Sequence, residues 1–413
     1  MAHILDVYLN QDLVGVLSQD IGGNMAFQYA EGWLANPKVT VLSQSLPLRS
    51  EPFTYRECKG FFGGILPEGQ NREIIARNVG ISARNDVALL ELVGGECAGA
   101  ITFVPAGESL PKHSAQKHAL TDHALAEILR SLPQRPLLAG EDNIRISLAG
   151  AQDKLAVCVA DGQISIPLGV TPSTHILKPE IARLGGIVAN EFLCMSLAKA
   201  VGLPTPSVSM HEVEGIYYLL VERYDRTSDK ETVRLHQEDF CQALGIVAEY
   251  KYEREGGPTI QNCFNLIRDA CSIPAKDIGS LLDAIIYNYL IGNNDAHGKN
   301  FSLLYRRTSA QALATSFAPL YDLICTAYYP DLSKRMAMKL GGEYESARIY
   351  PRHFERLADE NGLAKPGVRR RVQALAATIL EKLPEVTPHN AAGTGVAEIV
   401  RGRCNRTIEM FST

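Results

Sequence analysis

The stretch Leu290-Ile291-Gly292-Asn293-Asn294-Asp295-Ala296-His297-Gly298-Lys299-Asn300-Phe301-Ser302-Leu303-Leu304 is a polar island between two apolar runs. Upstream, Leu281 to Ile291 is apolar at helical spacing, interrupted by Asp283 and Asn288, and downstream Phe301 to Tyr305 reads as a strand. The order predicts helix, tight loop, strand. Four residues separate Asp295 from Asn300. That spacing suits a carboxylate that accepts a substrate hydroxyl's proton and an amide oxygen that holds Mg²⁺ beside ATP phosphates. Lys299 is placed to neutralise charge on a phosphoryl group in transfer. Asn, Asp and Gly together are also ordinary loop and helix-cap chemistry, so the rest of the chain has to decide between the two.

At 413 residues the chain has room for two or three domains. It is 46% hydrophobic and 21% charged without a low-complexity tract, the composition of a globular protein. Lys plus Arg number 41 against 46 Asp plus Glu, and no long basic run offsets the net charge of −5. This argues against strong nucleic-acid binding by the chain alone, since such affinity comes mostly from neutralising phosphates. Arg369-Arg370-Arg371 fits a solvated helix face better than a contact surface. Nine cysteines, an odd count with no C-x-x-C pair, fit reduced thiols rather than a disulfide or zinc framework. The N-terminus lacks a basic region followed by an apolar core, and no apolar run approaches the roughly 18 residues that span a bilayer. A cytoplasmic protein with no membrane partner is expected.

Residues 5 to 50 alternate apolar and polar positions between turn signals at Asn10-Gln11-Asp12 and Ile21-Gly22-Gly23-Asn24, which predicts a small antiparallel sheet. Helices are expected over Asn71 to Asn78 and Asp86 to Leu92, then a strand over Gly99 to Pro105. This first segment carries no visible chemistry and reads as a packing or docking domain. Pro105 to Lys117 reads as a linker, followed by a helix at about 121 to 131. In Ile144 to Val159 two apolar strands flank a turn of Ala149, Gly150 and Ala151, small enough to let backbone N–H groups approach an anion; a plain hairpin turn is the alternative. Neither a Walker sequence nor a G-x-G-x-x-G is present.

His175-Ile176-Leu177-Lys178 is strand-like, and thirteen residues beyond Lys178, Glu191 lies near the start of a helix that ends at Gly202 and Pro204. A strand Lys on ATP phosphates, held by a Glu from the next helix, is the pairing kinases require. Tyr217 to Arg226 runs from an apolar strand into a charged turn, a hinge whose backbone at Glu222 and Tyr224 would face adenine. Beyond it the chain becomes mostly helical. Phe317 to Ile324 sets Asp322 in an apolar frame, where Mg²⁺ would compensate its burial or an N-cap would explain it. Anion turn, strand Lys, helix Glu, hinge, Asp-x-x-x-x-Asn loop and second Asp follow one another in that order. Lys178, Asp295, Asn300 and Asp322 are therefore expected to converge on one nucleotide's phosphates between two lobes.

With these residues in place the chain resembles the HipA-like toxin kinases, bacterial serine/threonine protein kinases of toxin–antitoxin modules. The matching pieces are Ile146 to Lys154, Thr174 to Lys178, Asn190-Glu191-Phe192, Val221 to Arg226, His236 to Gln242, Asn294 to Ser302 and Leu320-Tyr321-Asp322. Phe62 to Pro67 and Gly99 to Pro105 look like the small domain preceding the kinase fold in full-length members. The resemblance implies an α+β, bilobal protein-kinase-like fold: a small N-terminal α/β domain (1–110), an N-lobe with phosphate-binding loop and hinge (118–226), and a helical C-lobe (227–413). It implies Asp295 as catalytic base supported by His297 and Lys299, and Asn300 and Asp322 as Mg²⁺ ligands. ATP would be held by Ala149, Gly150, Ala151, Gln152, Lys178, Glu191, Glu222 and Tyr224.

Ser147 corresponds to the loop serine that members autophosphorylate, ejecting the loop and silencing the enzyme; a phosphate dianion there would repel ATP. Ala296 and Gly298 stand where some relatives have Gly and Ala exchanged, a difference between small residues that should be tolerated. Family membership further implies a helix-turn-helix antitoxin through which DNA is chiefly contacted. It also implies growth arrest and persistence through phosphorylation of a translation component such as an aminoacyl-tRNA synthetase. A small-molecule, antibiotic-type phosphotransferase and a catalytically silent antitoxin-binding module are the alternative readings.

Overall fold

The alternation near the N-terminus puts one face of each strand into a core: Leu5, Val7 and Leu9 of the strand His3–Leu9 are buried, as are Val14 and Leu17 of Asp12–Gln19. These strands form a hairpin around Asn10, at φ 55°, a residue type that tolerates left-handed backbone. The computed structural model describes residues 3–37, 39–110, 116–227, 232–307 and 313–412. Of the expected linker, residues 111–115 lie outside the described residues.

The chain forms two compact units, the first from Met1–Pro179, His211–Glu249 and Leu304–Thr315, the second from Glu180–Met210, Tyr250–Leu303 and Ser316–Thr413. In the first unit the N-terminal sheet has the order Met25–Tyr29, Asp12–Gln19, His3–Leu9, Ile101–Pro105. The helices Tyr55–Ile65, Gly69–Val79 and Asp86–Val93 belong to the same unit, the latter two where periodicity predicts them. Phe27, Phe53, Phe62 and Phe103 join their cores, with ring centroids 5.3 to 6.1 Å apart along the cluster.

A second sheet has the order Val208–Val213, Ile216–Glu222, His175–Pro179, Leu155–Ala160, Gln163–Pro167, Lys117–Ala119. His175–Pro179 is interior to it, with antiparallel partners on both sides. Ile146–Ser147 does not form a hairpin with Leu155–Ala160 but pairs in parallel with Glu96–Cys97, some fifty residues upstream. A two-residue apolar strand carries no alternation that could select its partner, so tertiary packing decides.

The second unit is mainly helical: Ile187–Ala200, Ile260–Ala270, Pro274–Ile291, Pro351–Glu360, Lys365–Val386 and Ala391–Ser412. The helix Pro274–Ile291 is buried throughout its last eight residues, which explains its apolar run. It ends at Gly292 with φ 76°, and a Cβ there would lie 3.0 Å from the Ala327 Cβ. Arg403 donates to the Tyr289 carbonyl from Nε at 3.0 Å and Nη2 at 2.6 Å, satisfying a terminal acceptor of that helix. The hairpin Arg335–Leu340 and Glu343–Glu345 lies further along the chain. No described helix is long and apolar enough to cross a membrane, and all nine cysteines are buried free thiols.

Candidate active site

Helix Pro274–Ile291 delivers the Asn293–Asn300 loop, and side-chain amides splice the two together. Asn288 Nδ2 donates to the Ala284 carbonyl at 2.9 Å, Asn293 Nδ2 to Asn288 Oδ1 at 2.8 Å, and the Asp295 N–H to Asn293 Oδ1 at 3.0 Å. Thr326 fastens the other side: its Oγ1 accepts from the Asn294 N–H at 2.7 Å and donates to the Gly292 carbonyl at 3.2 Å. Held this way, Asp295 is the exposed residue of a loop whose His297, Lys299 and Asn300 are buried. Its Oδ1 accepts the Tyr252 hydroxyl at 2.9 Å, and the Tyr252 ring meets the His297 ring edge-on, centroids 5.4 Å apart. Tyr252 lies 43 residues upstream in the polar run Lys251 to Glu255, and nothing in the sequence marks it.

Asn300 and Asp322, 22 residues apart, do meet: Asn300 Nδ2 lies 3.2 Å from Asp322 Oδ2. Asp322 sits at φ 57°, a backbone state that concentrates at functional sites. The Asn300 Oδ1 is buried with no hydrogen-bond partner among the described residues. An amide oxygen and a carboxylate side by side, with that acceptor unsatisfied, fit Mg²⁺, which takes one or two carboxylates and completes its octahedron with water and phosphate oxygens. The segment is clamped by Asn190 of helix Ile187–Ala200, fully buried, which donates to the Cys325 carbonyl at 3.0 Å and accepts the Cys325 N–H at 2.8 Å. Tyr321 donates to the Lys299 carbonyl at 2.8 Å. Glu191, next to Asn190, is 1% exposed.

The first unit holds the remaining expected residues. Lys178 is buried on the interior strand opposite Leu219, and Glu222 lies opposite His175 in the register. The 149–151 turn is held by three donors: Lys154 Nζ to the Ala149 carbonyl at 2.7 Å, the Glu68 N–H to Gly150 at 3.3 Å, and Asn71 Nδ2 to Ala151 at 3.2 Å. Gly150 also forms a parallel bridge with Pro67, so the turn is laid against the segment that follows helix Tyr55–Ile65. Gly150 is at φ 103°, and a Cβ there would lie 2.7 Å from Lys154 Nζ. Ser147 is fully buried and donates to the Ile65 carbonyl at 2.9 Å.

The charged turn after Glu222 is not a solvated surface. Tyr224 donates its hydroxyl to Gln237 Oε1. Arg223, Asp225 and Arg226 are buried in a cluster with Arg234 and Glu96. Glu96 Oε1 lies 3.1 Å from Arg223 Nη1 and 2.5 Å from Arg226 Nη2, and its Oε2 meets Arg234. Asp225 Oδ2 accepts from Arg223 at 2.7 Å and from the Gly99 N–H at 2.7 Å. Burial would raise the Glu96 carboxyl, but Arg226, Arg234 and Arg223 overcome that and hold it at about 2.

Residues 146–383 match the HipA-like C-terminal domain family, and residues 5–104 match the HipA N-terminal domain family. The chain is 43% identical over 413 residues to Y4mE of Sinorhizobium fredii, a kinase by name, covering 97% of each. It is 28% identical over 410 residues to the serine/threonine-protein kinase toxin HipA of Shewanella oneidensis, covering 94% of this chain and 92% of that protein. A chain in the solved Shewanella oneidensis MR-1 complex of HipA, HipB and operator DNA superposes with a TM-score of 0.85 at 27% identity, over 99% of this chain and 98% of that one. Two adjoining family matches over most of the sequence, on a fold shared with a solved relative along its whole length, place the chain in the HipA-like family of serine/threonine-kinase toxins.

Proposed function

We propose that this chain is an ATP- and Mg²⁺-dependent serine/threonine protein kinase in which Asp295 is the base, with His297 and Lys299 supporting it. The observation that carries the proposal is the Asn300–Asp322 pair, in which Asn300 has an unsatisfied buried amide oxygen and shares a short loop with the exposed carboxylate of Asp295. Asn300 and Asp322 would hold the metal, which when bound neutralises phosphate charge and fixes the γ-phosphoryl group. Asp295 takes the proton of the acceptor hydroxyl as its oxygen bonds to the γ-phosphorus. The bond from that phosphorus to the β–γ bridging oxygen breaks, and ADP leaves. Lys178 and Glu191 serve the ATP phosphates; the amides of Ala149, Gly150, Ala151 and Gln152 cradle them, and the backbone at Glu222 and Tyr224 meets adenine.

The acceptor is a protein, a translation component such as an aminoacyl-tRNA synthetase, and phosphate on Ser147 shuts the enzyme off. The solved relative is a complex with HipB and operator DNA, which supports a helix-turn-helix antitoxin as partner here, DNA being reached chiefly through it in the cytoplasm. The test is radiolabelled ATP with purified protein and with lysate. Label on Ser147 and on a discrete protein, lost in Asp295→Asn and weakened through ATP affinity in Lys178→Ala, is expected. Label on metabolites alone would make the chain a small-molecule phosphotransferase. Full toxicity in Asp295→Asn and Asp322→Asn would make it a silent binding module.

A further inference from the structure

One cavity of the second unit adjoins the proposed base and has no part in the roles above. It encloses about 280 Å³, and Asp295 and Asn294 form one wall, Tyr252 a second, and Met336, Ala337 and Tyr344 of the hairpin a third. We propose that it receives an uncharged, apolar side chain of the acceptor polypeptide within two residues of the phosphorylated hydroxyl, and that Tyr252 positions the Asp295 carboxylate for that hydroxyl. This rests on the kinase reading.

The walls are tied into one frame before any acceptor arrives. The Ala337 N–H donates to the Asn294 carbonyl at 2.8 Å, the Lys339 N–H to Glu253 Oε2 at 2.6 Å, and the Tyr252 hydroxyl to Asp295 Oδ1 at 2.9 Å. Small-molecule sites typically enclose roughly 300 to 1,000 Å³, so this cavity suits one side chain rather than a second nucleotide. Leu332 adds to the apolar wall, while Arg254, Glu255 and Arg335 supply charge of both signs, which gives a charged side chain no net preference. Asn294 is 6% exposed, and its Oδ1 is buried without a hydrogen-bond partner among the described residues. An extended segment laid along the cavity would bring it a backbone N–H. Extended chain advances roughly 3.3 Å per residue, which confines the inserted side chain to the immediate neighbourhood of the acceptor hydroxyl.

Purified full-length chain, radiolabelled ATP and a positional library of serine- and threonine-centred peptides test this. Wild type should select Leu, Met, Phe or Tyr at one position within two residues of the acceptor. Ala337→Leu fills the cavity and should erase that selection, raising peptide KM at least about tenfold with ATP affinity unchanged; Met336→Ala enlarges it and should shift selection to larger side chains. Tyr252→Phe keeps the ring and loses the hydroxyl, so kcat should fall about tenfold with both KM values held, whereas Tyr252→Ala should also raise peptide KM. Unaltered selectivity in both cavity variants would overturn the subsite, and unaltered kcat in Tyr252→Phe would overturn the positioning role. Labelling of Ser147 without any labelled peptide would overturn the proposal and leave the kinase reading standing. Absence of all transfer by wild type would overturn the kinase reading, and this proposal with it.

Discussion

Replacing Glu238 with Gln converts a buried titrating contact into a fixed one, and its surroundings allow the effect to be calculated. Glu238 is fully buried; its Oε2 accepts the Ser43 hydroxyl at 2.5 Å, and its Oε1 accepts the Tyr305 hydroxyl at 2.5 Å and the Gln44 N–H at 3.0 Å. Burial outweighs these three bonds and pushes the carboxyl from 4.5 up to about 7. Two residues earlier His236, 6% exposed, donates from Nε2 to the Leu42 carbonyl at 2.8 Å and has an unpartnered Nδ1 among the described residues. Burial lowers its imidazole from 6.5 to about 4.

From pH 4.5 to 7 the unfolded chain gives up the Glu238 proton while the folded chain keeps it, so stability falls by about 3 kcal/mol as pH rises. From pH 6.5 down to 4 the unfolded chain binds a proton at His236 that the folded chain refuses, so stability falls by about 3 kcal/mol as pH drops. The slopes oppose each other and nearly cancel between 4.5 and 6.5. Against wild type, Glu238→Gln should therefore gain about 3 kcal/mol between pH 4.5 and 7.5, and His236→Gln should gain a similar amount between pH 7 and 4. Trp33, the only tryptophan, is buried in the same unit and reports its urea unfolding by fluorescence. Differences from wild type remove the chain's other titrating groups. A Glu238→Gln difference constant with pH to within about 0.5 kcal/mol would refute the reasoning.

Glu96→Gln leaves three buried guanidiniums short of a counter-charge and should cost about 3 to 5 kcal/mol, read from the same Trp33 transition; a loss under about 1 kcal/mol would mean that the cluster is hydrated. Asn190→Ala removes both bonds to the Cys325 backbone and should cost about 2 to 4 kcal/mol, lowering kcat more than it raises KM for ATP because Asp322 loses its support. Ser147→Ala gives up one buried bond to Ile65, about 1 kcal/mol, and should prolong phosphoryl transfer in a time course; an unchanged course would count against self-inactivation.

The Asp295 loop was legible because its spacing is local: helix, loop and strand lie within 35 residues, and burial of the preceding helix writes itself into periodicity. Asn300 was visible by its spacing from Asp295, and Asp322 because it stands as an isolated carboxylate in an apolar frame. Tyr252 left no such trace, since Lys251 to Glu255 has the composition of a solvated turn and its role depends on contact with a loop 43 residues away. Val221 to Arg226 gave no sign in the sequence of the burial of its charges. A run of charges is normally a wet surface, but here Glu96, 127 residues before Arg223, takes the charges into the interior. The partner of Ile146–Ser147 left no trace for a like reason, being set by packing and not by any local pattern.

The N-terminal family segment read as a packing or docking domain, and its contacts fall on the loop proposed to cradle phosphate. Ile65 takes the Ser147 hydroxyl, Glu68 bonds Gly150, Asn71 bonds Ala151, and Glu96–Cys97 pairs with Ile146–Ser147. Three of these are single hydrogen bonds worth about 1 kcal/mol each, and the paired strands add to them. A phosphate dianion at Ser147 would have to occupy a position with no solvent exposure, and an ion withdrawn from water without a matched counter-charge costs at least several kcal/mol. A phosphate dianion at Ser147 would therefore oppose the loop's return to the position it holds here.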